Sequence, residues 1–286
     1  MWTAADWADY TLLDCHDGRR LERWGSYILS RPDPQVIWWD GEKHPAWQTP
    51  DGVYHRSSTG GGHWSRVNLP ARWKVGYDGL SFYVGPMNFK HTGLFPEQAA
   101  NWRWLHEQIT LADRPLKILN LFGYTGAATL VCARAGAQVC HVDAARGMVQ
   151  WARDNAQLSG LSGAPIRWIV DDCKAFVERE LRRNSFYDAV ILDPPSFGRG
   201  PGGQVWRLED DLYDFLTLVE KILSGTPRFV LLNSYTTGLS PSALTYLLQS
   251  VFVSRRGGAA VGGELGLPVD ATGYILPCGA AGRWTV

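Results

Sequence analysis

The sequence has no net charge: Lys and Arg total 28 and Asp and Glu total 28 over 286 residues. No basic tail advertises a nucleic-acid partner, so any such affinity has to come from a local patch. No hydrophobic run approaches membrane-spanning length, and Met1–Tyr10 holds no apolar segment of the kind that heads a secreted chain. The five cysteines (Cys15, Cys132, Cys140, Cys173 and Cys278) are odd in number and include no C-x-x-C pair. That suits free, mostly buried thiols in a reducing compartment, not a disulfide framework. The seven histidines lack zinc-ligand spacing. From these absences we expect a cytoplasmic protein with no membrane segment and no metal.

What is present concentrates in two stretches. The first is Ile118-Leu119-Asn120-Leu121-Phe122-Gly123-Tyr124-Thr125-Gly126, followed by the apolar run Ala137–Val142 and then Asp143. It reads as strand, tight glycine turn, helix of small residues, strand and acidic tip, the layout of a nucleotide-type cofactor site. Gly123 and Gly126 let the backbone turn sharply and approach a ligand. Asp143 follows at the spacing where an acid meets a ribose diol. A dinucleotide fingerprint would need a third glycine, and a Walker loop would need Gly-Lys-Ser/Thr; neither is there.

The second stretch is Asp188-Ala189-Val190-Ile191-Leu192-Asp193-Pro194-Pro195-Ser196-Phe197. An apolar strand ends in an acid and two prolines, and strand C-termini at the middle of an open α/β sheet face the ligand crevice. Proline has no N–H, so Asp193-Pro194-Pro195 offers a carboxylate and carbonyls in a stiff arc. Such an arc can accept hydrogen bonds from a planar base, with Phe197 able to stack on it. The plainer reading is a strand-ending turn with helix-breaking prolines.

Together these residues resemble the class I S-adenosylmethionine-dependent methyltransferases. They are most similar to the branch of large-subunit ribosomal RNA enzymes acting on cytosine C5 or guanine N7, and within it to a compact subgroup without the N-terminal RNA-binding module. The resemblance runs from about Phe89 onward and implies S-adenosyl-L-methionine as cofactor. It assigns to cofactor binding Asn120, Phe122, Gly123, Tyr124, Thr125 and Gly126 in an N-L-F-x-Y-T-G loop. It places Asp143 on the ribose hydroxyls and Asp172 on the adenine amino group. Lys90, Thr92, Gly93, Phe95 and Gln98 belong to a T-G-x-F-x-x-Q segment that folds over the methionine end. Asp193, which also borders the cofactor, forms the catalytic motif with Pro194, Pro195 and Phe197.

The expected fold is α/β: a seven-stranded Rossmann-like methyltransferase sheet over 87–286, with a small β-rich domain over 1–86 available for substrate recognition. Alternation of short apolar runs with amphipathic segments from Glu97 onward predicts the larger domain. The predicted strands are Lys117–Leu121, Ala137–Val142, Ile166–Val170, Tyr187–Leu192 and Arg228–Asn233, closed by Ala259–Gly266 and Tyr274–Cys278. Predicted helices cover Glu97–Leu111, Ala127–Ala135, Arg146–Ser159, Lys174–Arg183, Leu208–Leu223 and Ser240–Val253. In the N-terminal region we expect strands at Gly25–Ser30, Trp64–Val67, Trp73–Val75 and Leu80–Val84, and an irregular Asp40–Gly62 rich in turn residues.

Eight of the 14 tryptophans lie at or before Trp73. Trp24, Trp38, Trp39, Trp47, Trp64 and Trp73 either fill a thin core or stack single-stranded bases. Arg19, Arg20, Arg23, Arg31, Arg56, Arg66 and Arg72 form either a phosphate-binding face or, with Asp14, Asp17, Glu22 and Asp33, a mixed solvated surface. Ser196–Gly203, with Arg199 and Arg207 able to meet a phosphate, reads as a lid or a plain flexible loop.

Cytosine-C5 transfer in the branch uses a cysteine after the fifth strand to activate the ring. Here that place reads Leu232-Asn233-Ser234-Tyr235-Thr236. Without the thiol the expectation is direct transfer to a base nitrogen of RNA, ribosomal RNA first. The alternatives are a small-molecule or protein methyltransferase, a catalytically silent RNA-binding protein and a nucleotide-dependent dehydrogenase.

Overall fold

The chain begins with short strands joined by tight turns: β1 (Trp2–Thr3), β2 (Tyr10–His16), β3 (Arg19–Trp24), β4 (Tyr27–Pro32), β5 (Gly52–Arg56), β6 (Gly62–Arg66), β7 (Trp73–Tyr77) and β8 (Leu80–Val84). The computed structural model describes all residues except 6, 40, 58–60, 67, 88, 200–204 and 237, and only the backbone of Arg66 and Arg199. Internal contacts group Met1–Ala100 with Leu265–Cys278 as one unit and Asn101–Glu264 with Gly279–Val286 as the other; the sequence had suggested a division near 86.

In the first unit β2 to β6 form one sheet in chain order, and β7 pairs with β8. Asp17-Gly18 and Asp78-Gly79 turn the β2–β3 and β7–β8 hairpins with positive φ at both residues, the geometry that matches strand twist. Two of the expected strands are extended, and β1, β2, β3 and β5 are additions. Asp40–Gly62 is therefore not irregular throughout: it contains the 3-10 turn Pro45–Gln48, capped by His44, and the strand β5. Val67, expected to end a strand, lies outside the described residues.

Buried charge explains what the alternation pattern hid. Glu22 is fully buried; its carboxylate accepts two hydrogen bonds from Arg31 at 2.6 and 2.8 Å and one from the Tyr10 hydroxyl at 2.9 Å. Arg20 lies 3.4 Å from Glu22 and 3.5 Å from Asp33. Asp14, also buried, accepts from the Lys43 and His44 N–H groups and the Trp47 indole. Arg20, Arg31, Asp14, Glu22 and Asp33 thus form neither a phosphate face nor a solvated surface: they are interior. Trp24 and Trp73 fill the core, whereas Trp39 is 77% exposed.

From Ala99 onward helix and strand alternate, with residues 265–278 of the closing strand pair belonging to the first unit. In order come α1 (Ala99–Thr110), β9 (Lys117–Leu121), α2 (Ala127–Arg134), β10 (Gln138–Asp143), α3 (Arg146–Leu158), β11 (Ile166–Val170), α4 (Cys173–Arg182), β12 (Ala189–Leu192), β13 (Phe197–Arg199) and β14 (Val205–Arg207). Then follow α5 (Leu208–Ile222), β15 (Phe229–Ser234), α6 (Pro241–Leu248), a π-helical turn Gln249–Val253, α7 (Ser254–Arg256), β16 (Ala259–Pro268) and β17 (Ile275–Thr285). The strands lie in the order β11-β10-β9-β12-β15-β17-β16, with the short β1 added beyond β16, where Trp2 pairs with Leu265 and Thr3 with Gly266. Numbered by position in the chain and without β1, that is 3-2-1-4-5-7-6. β9 to β12 and β15 run parallel, and β17 enters antiparallel against β15. The α/β expectation holds, with β1 an eighth strand beyond the seven expected, and the antiparallel β17 breaks the all-parallel order of a dinucleotide fold.

β17 runs to Thr285, well past the expected Cys278. Gly279-Ala280-Ala281-Gly282 looks like a loop in sequence, but its smallness is set by neighbours. A Cβ on Gly279 would sit 2.9 Å from the Tyr235 ring, and one on Gly282 would sit 2.7 Å from Leu248. Ser196–Gly203 is not a plain loop: β13 and β14 pair Phe197 with Arg207 and Arg199 with Val205, while the tip residues 200–203 lie outside the described residues. Among the described residues no helix is long and apolar enough to cross a membrane.

The Glu22 network yields a test. Burial pushes its carboxyl pKa up, but Arg20 and Arg31 override this and hold it at about 2, below the ordinary 4.5. Its contribution is present in full above pH 4.5 and is lost as pH falls through about 2. Glu22→Gln should cost about 3–5 kcal/mol by urea unfolding at neutral pH, because two buried guanidinium groups lose their partner. The gap from wild type should narrow as acid is added below pH 4.5; a variant as stable as wild type would contradict the network's role.

Candidate functional site

The sheet reverses direction of growth between β9 and β12, the place where open α/β sheets take ligands. Leu121, the last residue of β9, is in register with Leu192 of β12 and Val142 of β10. The segments starting at Phe122, Asp143 and Asp193 therefore leave three adjacent strands at one edge. Both motif stretches meet here.

Beyond Leu121 the backbone alternates through the left-handed region: Phe122 at φ 57°, Tyr124 at 51° and Gly126 at 87°. For two aromatic residues this conformation costs about 1–3 kcal/mol each, and the surrounding bonds hold it. The Phe122 N–H donates to Cys173 Sγ at 3.3 Å and the Gly123 N–H to the Val142 carbonyl at 3.0 Å. The Tyr124 N–H donates to Asp143 Oδ2 at 2.9 Å, and the Gly126 N–H to the Gly123 carbonyl at 3.0 Å. Thr125 is buried, and its carbonyl accepts from Asn155 Nδ2 at 2.9 Å.

Asp143 binds loop and helix start together, accepting from Tyr124 through Oδ2 and from the Ala145 N–H through Oδ1 at 2.8 Å. Burial raises its pKa, and these two N–H groups pull the other way without cancelling the shift. Asp172 caps α4, accepting from the Ala175 N–H at 2.9 Å.

Beneath the loop lies a polar chain. Asn120 Nδ2 donates to Thr129 Oγ1 at 2.8 Å, and Thr129 Oγ1 lies 2.9 Å from His141 Nδ1. All three are buried. Asn120 thus supports the loop from below with its side chain. His141, which sequence reasoning missed, sits against Trp168 with ring centroids 5.0 Å apart; burial lowers its pKa to about 3. Only its place two residues before Asp143 could have marked it.

At the end of β12, Asp193 is partly exposed, Pro194 is buried and Pro195 is exposed. The Pro195 carbonyl accepts from Trp206 Nε1 at 2.7 Å, and Trp206 packs on Phe122 and Phe215 with centroids 5.6 and 5.5 Å away. Trp206 is a second residue missed in sequence, hidden beside the glycine-rich tip. Phe197 stands 54% exposed. Ser196 Oγ and Thr236 Oγ1 are 2.6 Å apart, joining the segments that follow β12 and β15.

Lys90, Thr92, Gly93, Phe95 and Gln98 belong to the first unit. The Thr92 carbonyl accepts from the Gly85 N–H, and Lys90 donates to the Pro32 carbonyl at 3.4 Å. Burial, aided by Arg20 and Arg31, lowers the Lys90 pKa to about 8, and burial lowers that of His91 to about 4. Gly93 turns at φ 99°, Phe95 packs on His91 with centroids 5.2 Å apart, and Gln98 is buried. Thr92 Oγ1 and Glu97 Oε2 are buried without a hydrogen-bond partner among the described residues. Unmet buried acceptors of this kind fit a segment shaped for a ligand.

The family model of the S-adenosylmethionine-dependent methyltransferases matches residues 41–238. The chain belongs to this family. Its cofactor is S-adenosylmethionine, and the residues fit that group: a strained glycine loop, an acidic strand tip beside it and a second carboxylate at the start of α4. A ribosomal RNA large subunit methyltransferase K/L from Pseudoalteromonas translucida is 30% identical over 158 residues, covering 54% of this chain and 21% of its own. The chain thus spans about a fifth of the length of the curated relatives it matches. A SAM-dependent methyltransferase from Agrobacterium tumefaciens superposes with a TM-score of 0.93 at 38% identity, covering 99% of this chain and 92% of that one. A methyltransferase complexed with SAH shares the fold at 19% identity, with a TM-score of 0.72 and coverage of 97% and 75%.

Cys173 is fully enclosed, and burial raises its pKa well above the ordinary thiol value, with the Phe122 N–H opposing. A thiol in that state is inert. Iodoacetamide at about pH 8 should leave Cys173 of the native methyltransferase unlabelled and modify it only after unfolding. Rapid native labelling, read by peptide mass spectrometry, would show a reactive thiol instead.

Proposed function

We propose that this methyltransferase acts on a base nitrogen of RNA, with ribosomal RNA the first substrate to try. One observation carries the choice of atom: Asp193 and Pro194 leave the strand beside the cofactor loop, while the end of β15 and the residues after it read Asn233-Ser234-Tyr235-Thr236, with no thiol. A ring or exocyclic nitrogen has a lone pair that needs only aiming, whereas C5 of cytosine needs covalent activation. The relatives named as ribosomal RNA large subunit methyltransferases support RNA as the substrate class.

In this reading Asp143 accepts hydrogen bonds from the ribose hydroxyls, and Asp172 accepts from the adenine amino group. The backbone of Phe122–Gly126 cradles the cofactor; the family resemblance assigns Lys90, Thr92, Gly93, Phe95 and Gln98 to its methionine end. Bound S-adenosylmethionine supplies an electrophilic methyl for in-line displacement. The chain's own residues then orient and desolvate the acceptor. The Asp193 carboxylate and the Pro194 carbonyl accept from the base N–H groups, fixing the base plane so that the nitrogen lone pair points along the transfer axis. Exposed Phe197 stacks on the base. The β-rich first unit serves substrate recognition, with exposed Trp39 as a stacking surface. The protein works in the cytoplasm.

Two variants separate the roles. Asp143→Ala should weaken S-adenosylhomocysteine binding by calorimetry about tenfold to a hundredfold, the loss of a charged hydrogen-bond acceptor. Asp193→Ala should bind it normally yet transfer label from S-adenosylmethionine to RNA at least about a hundredfold more slowly. Full activity in Asp193→Ala would refute its role, and label entering only protein or metabolites would refute RNA as the substrate.

A further inference from the structure

The strained loop has a wedge beneath it. A Cβ built on Gly123 would lie 2.5 Å from both Cε1 and Nδ1 of His141 and 3.1 Å from Nε2. Gly123 itself does not occupy the left-handed region, unlike Gly126 at φ 87°, so an L residue is admissible there as far as its own backbone is concerned. The imidazole edge is the obstacle.

That edge cannot swing aside. His141 is fully buried, its ring packs on Trp168, and Nδ1 is bonded to Thr129 Oγ1. Thr129 Oγ1 is itself held by Asn120 Nδ2 at 2.8 Å, so the group that braces Nδ1 is fixed in turn. Gly123 is fixed from the other side: its N–H donates to Val142 and its carbonyl accepts from Gly126. A displacement of Gly123 therefore passes to its neighbour Tyr124, whose N–H is bonded to Asp143.

We propose that His141 is a positioning residue for the cofactor loop: braced by Thr129, its imidazole sets the height of Gly123, and it is the reason position 123 is glycine. The usual account of such a glycine is close approach of the ligand; here the demand comes from below. The inference rests on the reading that this loop holds the cofactor.

The test is a suppressor cycle read by S-adenosylhomocysteine affinity in calorimetry and by melting temperature, using Gly123→Ala, His141→Val, His141→Phe and the doubles. Valine keeps the strand preference but places no atom where the ring edge lies. Gly123→Ala should bind about tenfold or more weakly. Adding His141→Val should bring Gly123→Ala within about threefold of His141→Val alone, while Gly123→Ala/His141→Phe, which keeps a ring, should stay impaired. Normal binding by Gly123→Ala, or a loss of similar size in the His141→Val background, would overturn the proposal. If wild type binds no S-adenosylhomocysteine, the reading of the loop fails on its own. The wedge is then judged by melting temperature: Gly123→Ala must lower it, and His141→Val must cancel most of that drop.

Discussion

The backbone of Phe122–Gly126 cannot hold its shape alone. Two aromatic residues in left-handed conformation, within five residues, are a local cost. They persist because each N–H from Phe122 to Tyr124 has a fixed acceptor: Cys173 sulfur, the Val142 carbonyl and the Asp143 carboxylate. Those acceptors sit on β10 and at the head of α4, so the loop's form is a consequence of the sheet's register. The parallel pairing of β9 with β10 and β12 brings the acidic tip and the Asp193-Pro194-Pro195 arc to the same edge. On the proposed reading, position of the cofactor, position of the acceptor base and strand order are one constraint.

The same logic explains the interior chemistry. Asn120, Thr129 and the Nδ1 edge of His141 form a hydrogen-bonded chain below the loop, while His141 Nε2 is buried without a partner among the described residues. Burial keeps His141 neutral, so this support does not change charge with ordinary pH. Cys173, one of the thiols expected to be buried, serves as a structural acceptor for the Phe122 N–H. The aromatic group of Phe122, Trp206 and Phe215 ties the loop to the hairpin that follows Asp193-Pro194-Pro195.

The second unit was legible in sequence because its strands are buried on both faces and read as continuous apolar runs, β9, β12 and β15 above all. The loop and the acid were legible because their spacing is dictated by the turn. The first unit was harder. Tyr10–His16 and Arg19–Trp24 place Asp14, Arg20 and Glu22 inside, so the period-two signal is broken by charges that compensate one another only in three dimensions. The end of β17 was missed for the opposite reason: its glycines and alanines carry no pattern, and their need appears only when Tyr235 and Leu248 are seen against them. His141 and Trp206 lay in plain strand and loop sequence, and only contact reveals them.

Where the cofactor sits relative to the strained turn is decisive. A crystal structure of the chain with S-adenosylhomocysteine bound tests this most directly. The account predicts the ribose hydroxyls within hydrogen-bond distance of Asp143, the adenine amino group at Asp172, and the Phe122–Gly126 backbone unchanged. A ligand bound away from the β9–β12 edge, or a loop that must relax its left-handed residues to admit it, would contradict it.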